Sequence, residues 1–551
     1  MRVEARRIVS GVGALAALVL VRALLPQGMP LGVVVQGLVL GSLSALTAMG
    51  LVLIYRASRV VNFAQAEIGG IAASVAVVLV AGEGWSYWLA LPAGLVVAML
   101  TGLLMDLTVV RRFANAPRLI FTVATIGAAQ VLGAFELGLP SLSPSLGPLS
   151  TFRTPFEVSF RIGPLVFNGN HVIALAAVPL VLLALAAFLS KSDTGIAVRA
   201  AADSQERALL LGIPVRRLSR VTWVLAAALS GLGALLSAPI VGPNVGVIAG
   251  PVVLLTPLAA AVVGRMESLP VTLAAALGLG VFQQVVLWNY PRSSTVDVGL
   301  FAVILVALLL QRRRYSRSDD AGLGGFVAVQ EIRPLSKAVA ALPELRAARV
   351  LGVAALILIA GIWPMFLSAP NLTLFAYFAI FGVLGVSLVV LTGWAGQISL
   401  GQFAFAGVGA SVTAYLLTQH NTDLFLSLAA ATVVTGALAA VIGLPALRIP
   451  GPFLAVTTLA FGVPVSTYLL NAGNFPELTP SRLVRPVLLR RFDLDGRLTF
   501  YYFCLASLVL VVWLAANFRR SRIGRVVLAT RENERGATAY SVNVVRSKLV
   551  A

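Results

Sequence analysis

Two stretches of this chain place hydrogen-bonding side chains inside segments that are otherwise apolar. Asn62-Phe-Ala-Gln65-Ala-Glu67-Ile-Gly-Gly70 carries two amides and a carboxylate, and Gly396-Gln397-Ile-Ser-Leu-Gly401-Gln402 carries two amides, each directly after a glycine. Such groups suit reversible binding rather than bond making. Glycine lets a helix break or approach its neighbour closely, and the ends of half-helices offer partial charges to a zwitterion such as an amino acid. The same residues also suit helix packing through small side chains and a capped turn at the membrane surface, with Glu67 solvated near the inner face. Both readings stand at this level. Asp106 and Glu136 fall near the ends of apolar runs, where arginine or water stabilises their charge, so no buried titratable cluster is expected to serve a coupling ion. Two histidines, His171 and His420, and the single Cys504 make a zinc site improbable and exclude an internal disulfide. No G-x-x-x-x-G-K-[ST] pattern occurs, so no catalytic residue is expected and any energy from ATP must arrive from another protein.

A second signal is an internal repeat. Gly195-Ile-Ala-Val-Arg199-Ala200-Ala-Ala-Asp203-Ser-Gln-Glu-Arg-Ala208 aligns with Gly524-Arg-Val-Val-Leu-Ala-Thr-Arg-Glu532-Asn533-Glu534-Arg-Gly-Ala537 at an offset of 329 residues, with Gly212 meeting Ser541. Residues 198–211 combine charged positions with an Ala/Leu face and run into a Gly212-Ile-Pro stop. This predicts a short amphipathic helix parallel to the membrane. One such helix is readily a mere tether; two suit a dimeric partner with two equivalent grooves.

The elements that position these segments follow from composition. Of 551 residues 59% are hydrophobic and 11% charged, and mean hydropathy is +0.95. Apolar runs of about 17 to 25 residues recur along the chain, and in lipid each must close its own backbone hydrogen bonds, which makes them helices. Runs such as 172–189 are apolar on every side, unlike the alternating strands of a β-barrel. The predicted fold is an all-α, polytopic transmembrane helical bundle in two homologous halves with about 16 transmembrane helices. In the first half the spans are 8–25, 31–54, 66–82, 88–110, 119–138, 171–190, 221–241, 250–264, 268–289 and 296–311. In the second they are 350–368, 372–392, 402–418, 424–444, 453–472 and 499–517. The segment 8–25, preceded by Arg2, Arg6 and Arg7, reads as a retained anchor. Residues 1–311 form the first domain, 312–349 a cytoplasmic linker and 350–551 the second domain. The net charge of +20 would suggest nucleic acid in a soluble protein, but the basic residues cluster in short loops on one side of the spans. That pattern indicates cytoplasmic loops meeting anionic lipid headgroups, and no nucleic acid partner. Arg482, Arg485, Arg490 and Arg491 depart from it, in a longer loop.

The repeated segment resembles the cytoplasmic coupling loop of ATP-binding-cassette importer permeases. Its Arg199-Ala200 and Asp203, Ala208, Gly212-Ile213 and Val215 are similar to the R-A-x-x-x-N/D-x-x-x-A-x-x-x-G-I/V-x-V motif of the branched-chain amino acid group, as are Glu532, Asn533, Glu534 and Ala537 in the second copy. Leu38-Val-Leu-Gly41 through Glu67 looks like the shorter permease of that group; Leu391-Thr-Gly393 through Phe405 and Gly443-Leu-Pro through Phe461 look like the longer one. The resemblance implies two fused permeases moving branched-chain amino acids through the inner (plasma) membrane by alternating access. It implies two cytoplasmic ABC ATPase subunits, which would hold ATP and Mg, and a periplasmic or extracellular solute-binding protein. It implies no cofactor in this chain, coupling roles for Gly195, Arg199, Ala200, Asp203, Ala208, Gly212, Gly524, Glu532, Asn533, Glu534 and Ala537, and pathway roles for Asn62, Gln65, Glu67, Gly396, Gln397, Gly401 and Gln402. A permease of the same group for urea or short amides shares these motifs, and an ion-coupled secondary transporter is the alternative of a different class. By comparison with the first half, further spans are expected after the second coupling segment, so the second domain reads as incomplete.

Overall fold

The computed structural model describes residues 25–310 and 342–550, apart from 114, 115, 117, 140–154, 157, 243–249, 448–452, 481–482, 484–486 and 489–491. The anchor at 8–25 up to residue 24, most of the 312–349 linker and the four exceptional arginines lie outside the described residues. Contacts divide the chain into two compact units, Met1–Arg312 and Arg313–Ala551. Among the described residues twelve helices are long and apolar enough to cross a membrane, and Val252–Val263 and Leu454–Leu469 are shorter apolar helices. That count does not reach sixteen. The expected span at 402–418 is helical but is not among the twelve, because Gly, Ser, Thr and Gln dilute its apolar residues.

In the first unit the helices are α1 (Leu31–Ser58), α2 (Gln65–Val77), α3 (Tyr87–Met105), α4 (Arg118–Gly138), α5 (Gly169–Lys191), α6 (Asp193–Asp203), α7 (Gln205–Leu210), α8 (Val215–Val241), α9 (Gly250–Val263), α10 (Leu269–Asn289) and α11 (Ser293–Leu310). A hairpin of β1 (Ser159–Ile162) and β2 (Leu165–Asn168) pairs antiparallel ahead of α5. His171 serves there as a cap: its Nδ1 lies 2.7 Å from Asn168 Oδ1 at the start of α5.

The centre of this unit is α1, 72% of whose apolar window is buried against 22% for α5. Leu175, Leu180 and Leu183 of α5 are accordingly exposed, as a lipid-facing helix requires. Between helices in lipid there is little hydrophobic drive, so close contact depends on small residues. α1 and α10 meet through Gly37, Gly41 and Gly280. A Cβ at Gly280 would overlap the Gly37 carbonyl and the Gly41 Cα. Gly280→Val is therefore expected to separate the two helices at a cost of about 3 kcal/mol, read as a lowered melting temperature of the purified protein, whereas Gly278→Ala, with nothing within 4 Å, leaves it unchanged.

The second unit comprises α12 (Pro343–Ile357), α13 (Ala369–Leu388), α14 (Gln402–His420), α15 (Leu424–Leu447), α16 (Phe453–Pro464), α17 (Arg497–Arg520), α18 (Arg522–Glu532), α19 (Glu534–Ala539) and α20 (Val544–Val550), with the short pair β3 (Val487–Leu488) and β4 (Phe492–Asp493) before α17. Its packing centres on α13 against α17, where Leu372, Ala376, Ala379, Tyr501 and Cys504 are buried together. A π turn, Leu358–Ile362, follows α12, and the carbonyls of Ala360 and Gly361 there accept hydrogen bonds from the Tyr501 and Tyr502 hydroxyls at 2.5 and 2.7 Å.

Candidate functional site

In each unit two successive helices are joined by a turn of the same design. α1 ends at Arg59, whose left-handed backbone (φ 55) turns the chain, and α2 begins at Gln65. In the second unit a π turn, Val389–Trp394, ends α13, Gly396 makes the turn (φ 68), and α14 begins at Gln402. Arg59 and Gly396, Asn62 and Ser399, and Gln65 and Gln402 correspond at one offset of 337 residues.

A break strips backbone groups of their helical partners, and these must be satisfied again within the fold. Both units do this in the same way. Asn62 Nδ2 donates to Gln65 Oε1 at 2.9 Å, and Ser399 Oγ donates to Gln402 Oε1 at 3.2 Å. The Phe63 N–H donates to Thr125 Oγ1 of α4 at 3.4 Å, and the Leu400 N–H donates to Thr458 Oγ1 of α16 at 3.0 Å. Each glutamine amide then reaches another element: Gln65 Nε2 donates to the Ala226 carbonyl of α8 at 2.8 Å, and Gln402 Nε2 to Ser387 Oγ of α13 at 3.0 Å. Ser387 stands at the position of Gly50, where a Cβ would lie 2.5 Å from Gln65 Nε2. Asn62 and Gln65 are fully buried, and Ser230 of α8 donates to the Gln65 carbonyl at 2.6 Å. Gln397 is 8% exposed, and Gly401 leaves room for the Thr458 carbonyl, 2.5 Å from where its Cβ would be.

Glu67 is not the solvated residue that its position near the inner face suggests. It is 3% exposed and lies against Glu136 of α4, which is 1% exposed. Glu136 also accepts a hydrogen bond from Ser74 Oγ at 3.2 Å, across Gly70, whose Cβ would fall 2.6 Å from Glu136 Oε2. The expectation that no titratable groups cluster inside the bundle is thus corrected. The small residues of α2 draw α4 close enough to bury both carboxyls. Asp106 does pair with arginine: Arg111 and Arg220 each approach its Oδ2 to 3.6 Å.

The repeated segment folds identically in the two units. A serine caps the first helix, Ser192 accepting from the Gly195 N–H at 3.0 Å and Ser521 from the Gly524 N–H at 3.1 Å. Each first helix ends at the acid, Asp203 or Glu532. A single helix over 198–211 is not what forms. At Ser204 (φ −155) the backbone turns extended and its hydroxyl caps a second short helix, α7; Asn533 (φ −150) does the same for α19, its Oδ1 accepting from the Gly536 N–H at 2.8 Å. Ala208 and Ala537 are buried, and their carbonyls accept from the Ile213 and Val542 N–H groups, each at 3.0 Å. Gly212 (φ 75) and Ser541 (φ 61) make the closing turn. Arg199, Ala200, Asp203, Gly212, Glu532, Asn533 and Glu534 are exposed, and Glu534 pairs with Lys548.

Comparison with known proteins shows the family. The profile described as "branched-chain amino acid transport system / permease component" matches residues 33–310 and again 371–551. The chain belongs to this permease family. It is a multi-pass membrane protein carrying two permease domains in one polypeptide. Among curated relatives, the high-affinity branched-chain amino acid transport system permease protein LivH of Salmonella typhimurium is 28% identical over 299 residues, 50% of this chain and 91% of its own length. BraD of Pseudomonas aeruginosa, with the same description, is 29% identical over 259 residues, 45% of this chain and 83% of its own. LivM of Salmonella typhimurium is 28% identical over 224 residues, 36% of this chain and 52% of its own. No solved structure matches the permease.

Several residues that complete the two turns escape a reading by motif: Thr125, Ser230 and Thr458 come from helices outside the turns and act through tertiary contact, as does Ser387 from within α13. The recurrence of Gln65, Gly70 and Ser74 as Gln402, Gly407 and Ser411 is the sequence signal that pairs the two breaks.

Proposed function

We propose that this permease forms the transmembrane pathway of an ATP-driven importer of branched-chain amino acids in the inner membrane, working by alternating access. Two cytoplasmic ATPase subunits, holding ATP and Mg, dock on the paired helices of the two units, and a separate solute-binding protein delivers the substrate. Residues 1–311 and 350–551 act as the two permease domains, with 312–349 as a cytoplasmic linker. The chain itself contributes no cofactor. Pathway contacts are assigned to the two breaks, at Asn62, Gln65 and Glu67 and at Gly396, Gln397, Gly401 and Gln402.

One observation carries the docking reading: the same serine-capped, two-helix unit occurs twice, each time presenting an exposed acid on the last residue of its first helix. An acid there stands against the partial negative charge of the helix C-terminus, a placement that disfavours the isolated helix. A partner cation that meets Asp203 and Glu532 offsets this cost. Charge reversal by Asp203→Lys or Glu532→Lys is expected to weaken ATPase retention by about 2 kcal/mol, roughly thirtyfold, with membrane insertion intact. Co-purification of the ATPase subunits with each variant measures this, and wild-type recovery for both refutes the docking role.

A further inference from the structure

In the second unit four side chains link the turn after α13 to α17 and α18. Trp394, the last residue of the π turn, stacks on Phe518 at 6.3 Å between ring centroids and lies beneath the Arg519 guanidinium at 5.8 Å. Arg531, near the end of α18, donates through Nη1 to the Gly393 carbonyl. Its stem crosses Gly396, where a Cβ would fall 2.9 Å from Arg531 Cγ. Carbonyls at a helix end have no intrahelical partner, so an arginine from α18 supplies what the break removes. The contact also depends on residue 396 having no side chain.

The first unit lacks the indole and both arginines: Ala57, Arg59, Ser190 and Ala202 stand at the sequence positions of Trp394, Gly396, Arg519 and Arg531. Arg59 pairs instead with Glu267 at 3.6 Å and lies over the Tyr55 ring at 6.0 Å. There α6 joins α1 through an apolar cluster that includes Met49, Leu53, Leu189, Val198 and Ala201. The two links differ in kind. The apolar cluster holds through buried surface, whereas the second unit's link is a directional, charge-assisted hydrogen bond that forms only where Arg531 faces the Gly393 carbonyl.

We propose that Arg531 is a positioning residue that ties movement of α18 to the break at 393–401, so that α14 shifts with the ATPase contact, while the first unit's break stays rigidly joined to its own elbow. This rests on the docking reading above. The test uses the full chain with its ATPase subunits and binding protein in proteoliposomes. It measures leucine uptake, ATP hydrolysis and ATPase retention for Arg531→Ala, Arg531→Lys, Arg497→Ala and Glu532→Lys. Arg531→Ala is expected to keep its ATPases and its basal hydrolysis while uptake per ATP falls about tenfold. Arg531→Lys recovers much of the loss, because an ammonium still donates to Gly393, and Arg497→Ala, at an exposed arginine on the opposite end of α17 from the docking helices, matches wild type. Uptake per ATP within about twofold of wild type in Arg531→Ala overturns the proposal, as does an equal loss in Arg497→Ala or no recovery by lysine. If Glu532→Lys retains its ATPases at wild-type levels, docking through α18 falls and takes this proposal with it. If Glu532→Lys loses them and Arg531→Ala transports normally, only the link through Arg531 falls.

Discussion

Gly524→Val is expected to abolish transport and to release the ATPase subunits, and Gly195→Val to do the same from the first unit. At both elbows the helix folds back on the one before it so closely that a Cβ would overlap a carbonyl, that of Phe518 or of Phe188. The next nearest atoms are also backbone: Arg519 Cα at 2.9 Å in one unit and Leu189 Cα at 2.8 Å in the other. No side-chain rotation relieves such a clash, so the elbow must open at a cost of about 3 kcal/mol or more. Phe188 and Phe518 use the same carbonyls to accept from the capping serines, Ser192 Oγ at 2.6 Å and Ser521 Oγ at 2.7 Å, so the cap is lost with the elbow. Removing the cap alone, by Ser521→Ala, is expected to cost only about 1 kcal/mol. ATPase co-purification, followed by uptake in proteoliposomes, distinguishes the two. Equal behaviour of Gly524→Val and Ser521→Ala refutes the steric account.

Gln65→Leu is expected to destabilise the first unit by about 2 to 4 kcal/mol, since it leaves the Asn62 amide and the Ala226 carbonyl without their partner in a fully buried site. Gln65→Glu keeps the shape and places an acceptor against the Ala226 carbonyl, so it is no rescue. Gln402→Leu, at a partly exposed position, is expected to cost about 1 kcal/mol, because water replaces what Ser387 and Ser399 lose. Thermal unfolding of the purified permease reads both, and a melting temperature equal for Gln65→Leu and wild type would show that the break does not depend on this amide.

The placement of these groups was legible to different depths. The repeat at Gly195 and Gly524 is visible in the residue types, and its helices are set by local chemistry: a serine cap, a run of helix formers, a positive-φ turn. Even there the interruption at Ser204 was missed, because serine and asparagine are tolerated inside a helix until their side chains find a backbone N–H to cap. The burial of Glu67 is hidden for another reason. Its distance along the chain from a span end leaves water open as a partner, but Gly69 and Gly70 bring in α8 and α4 and close the site.

By itself, then, the sequence determined the membrane class, most of the spanning helices and the repeated segment, because hydropathy and capping act over neighbouring residues and a repeat lies in the residue types themselves; the two permease domains were legible through family resemblance. The tertiary structure decided which groups meet: Gln65 with Ala226, Glu67 with Glu136, Arg531 with Gly393. Those pairings join residues far apart in the chain, and they are fixed by how closely glycine lets one helix approach another, which no local pattern records.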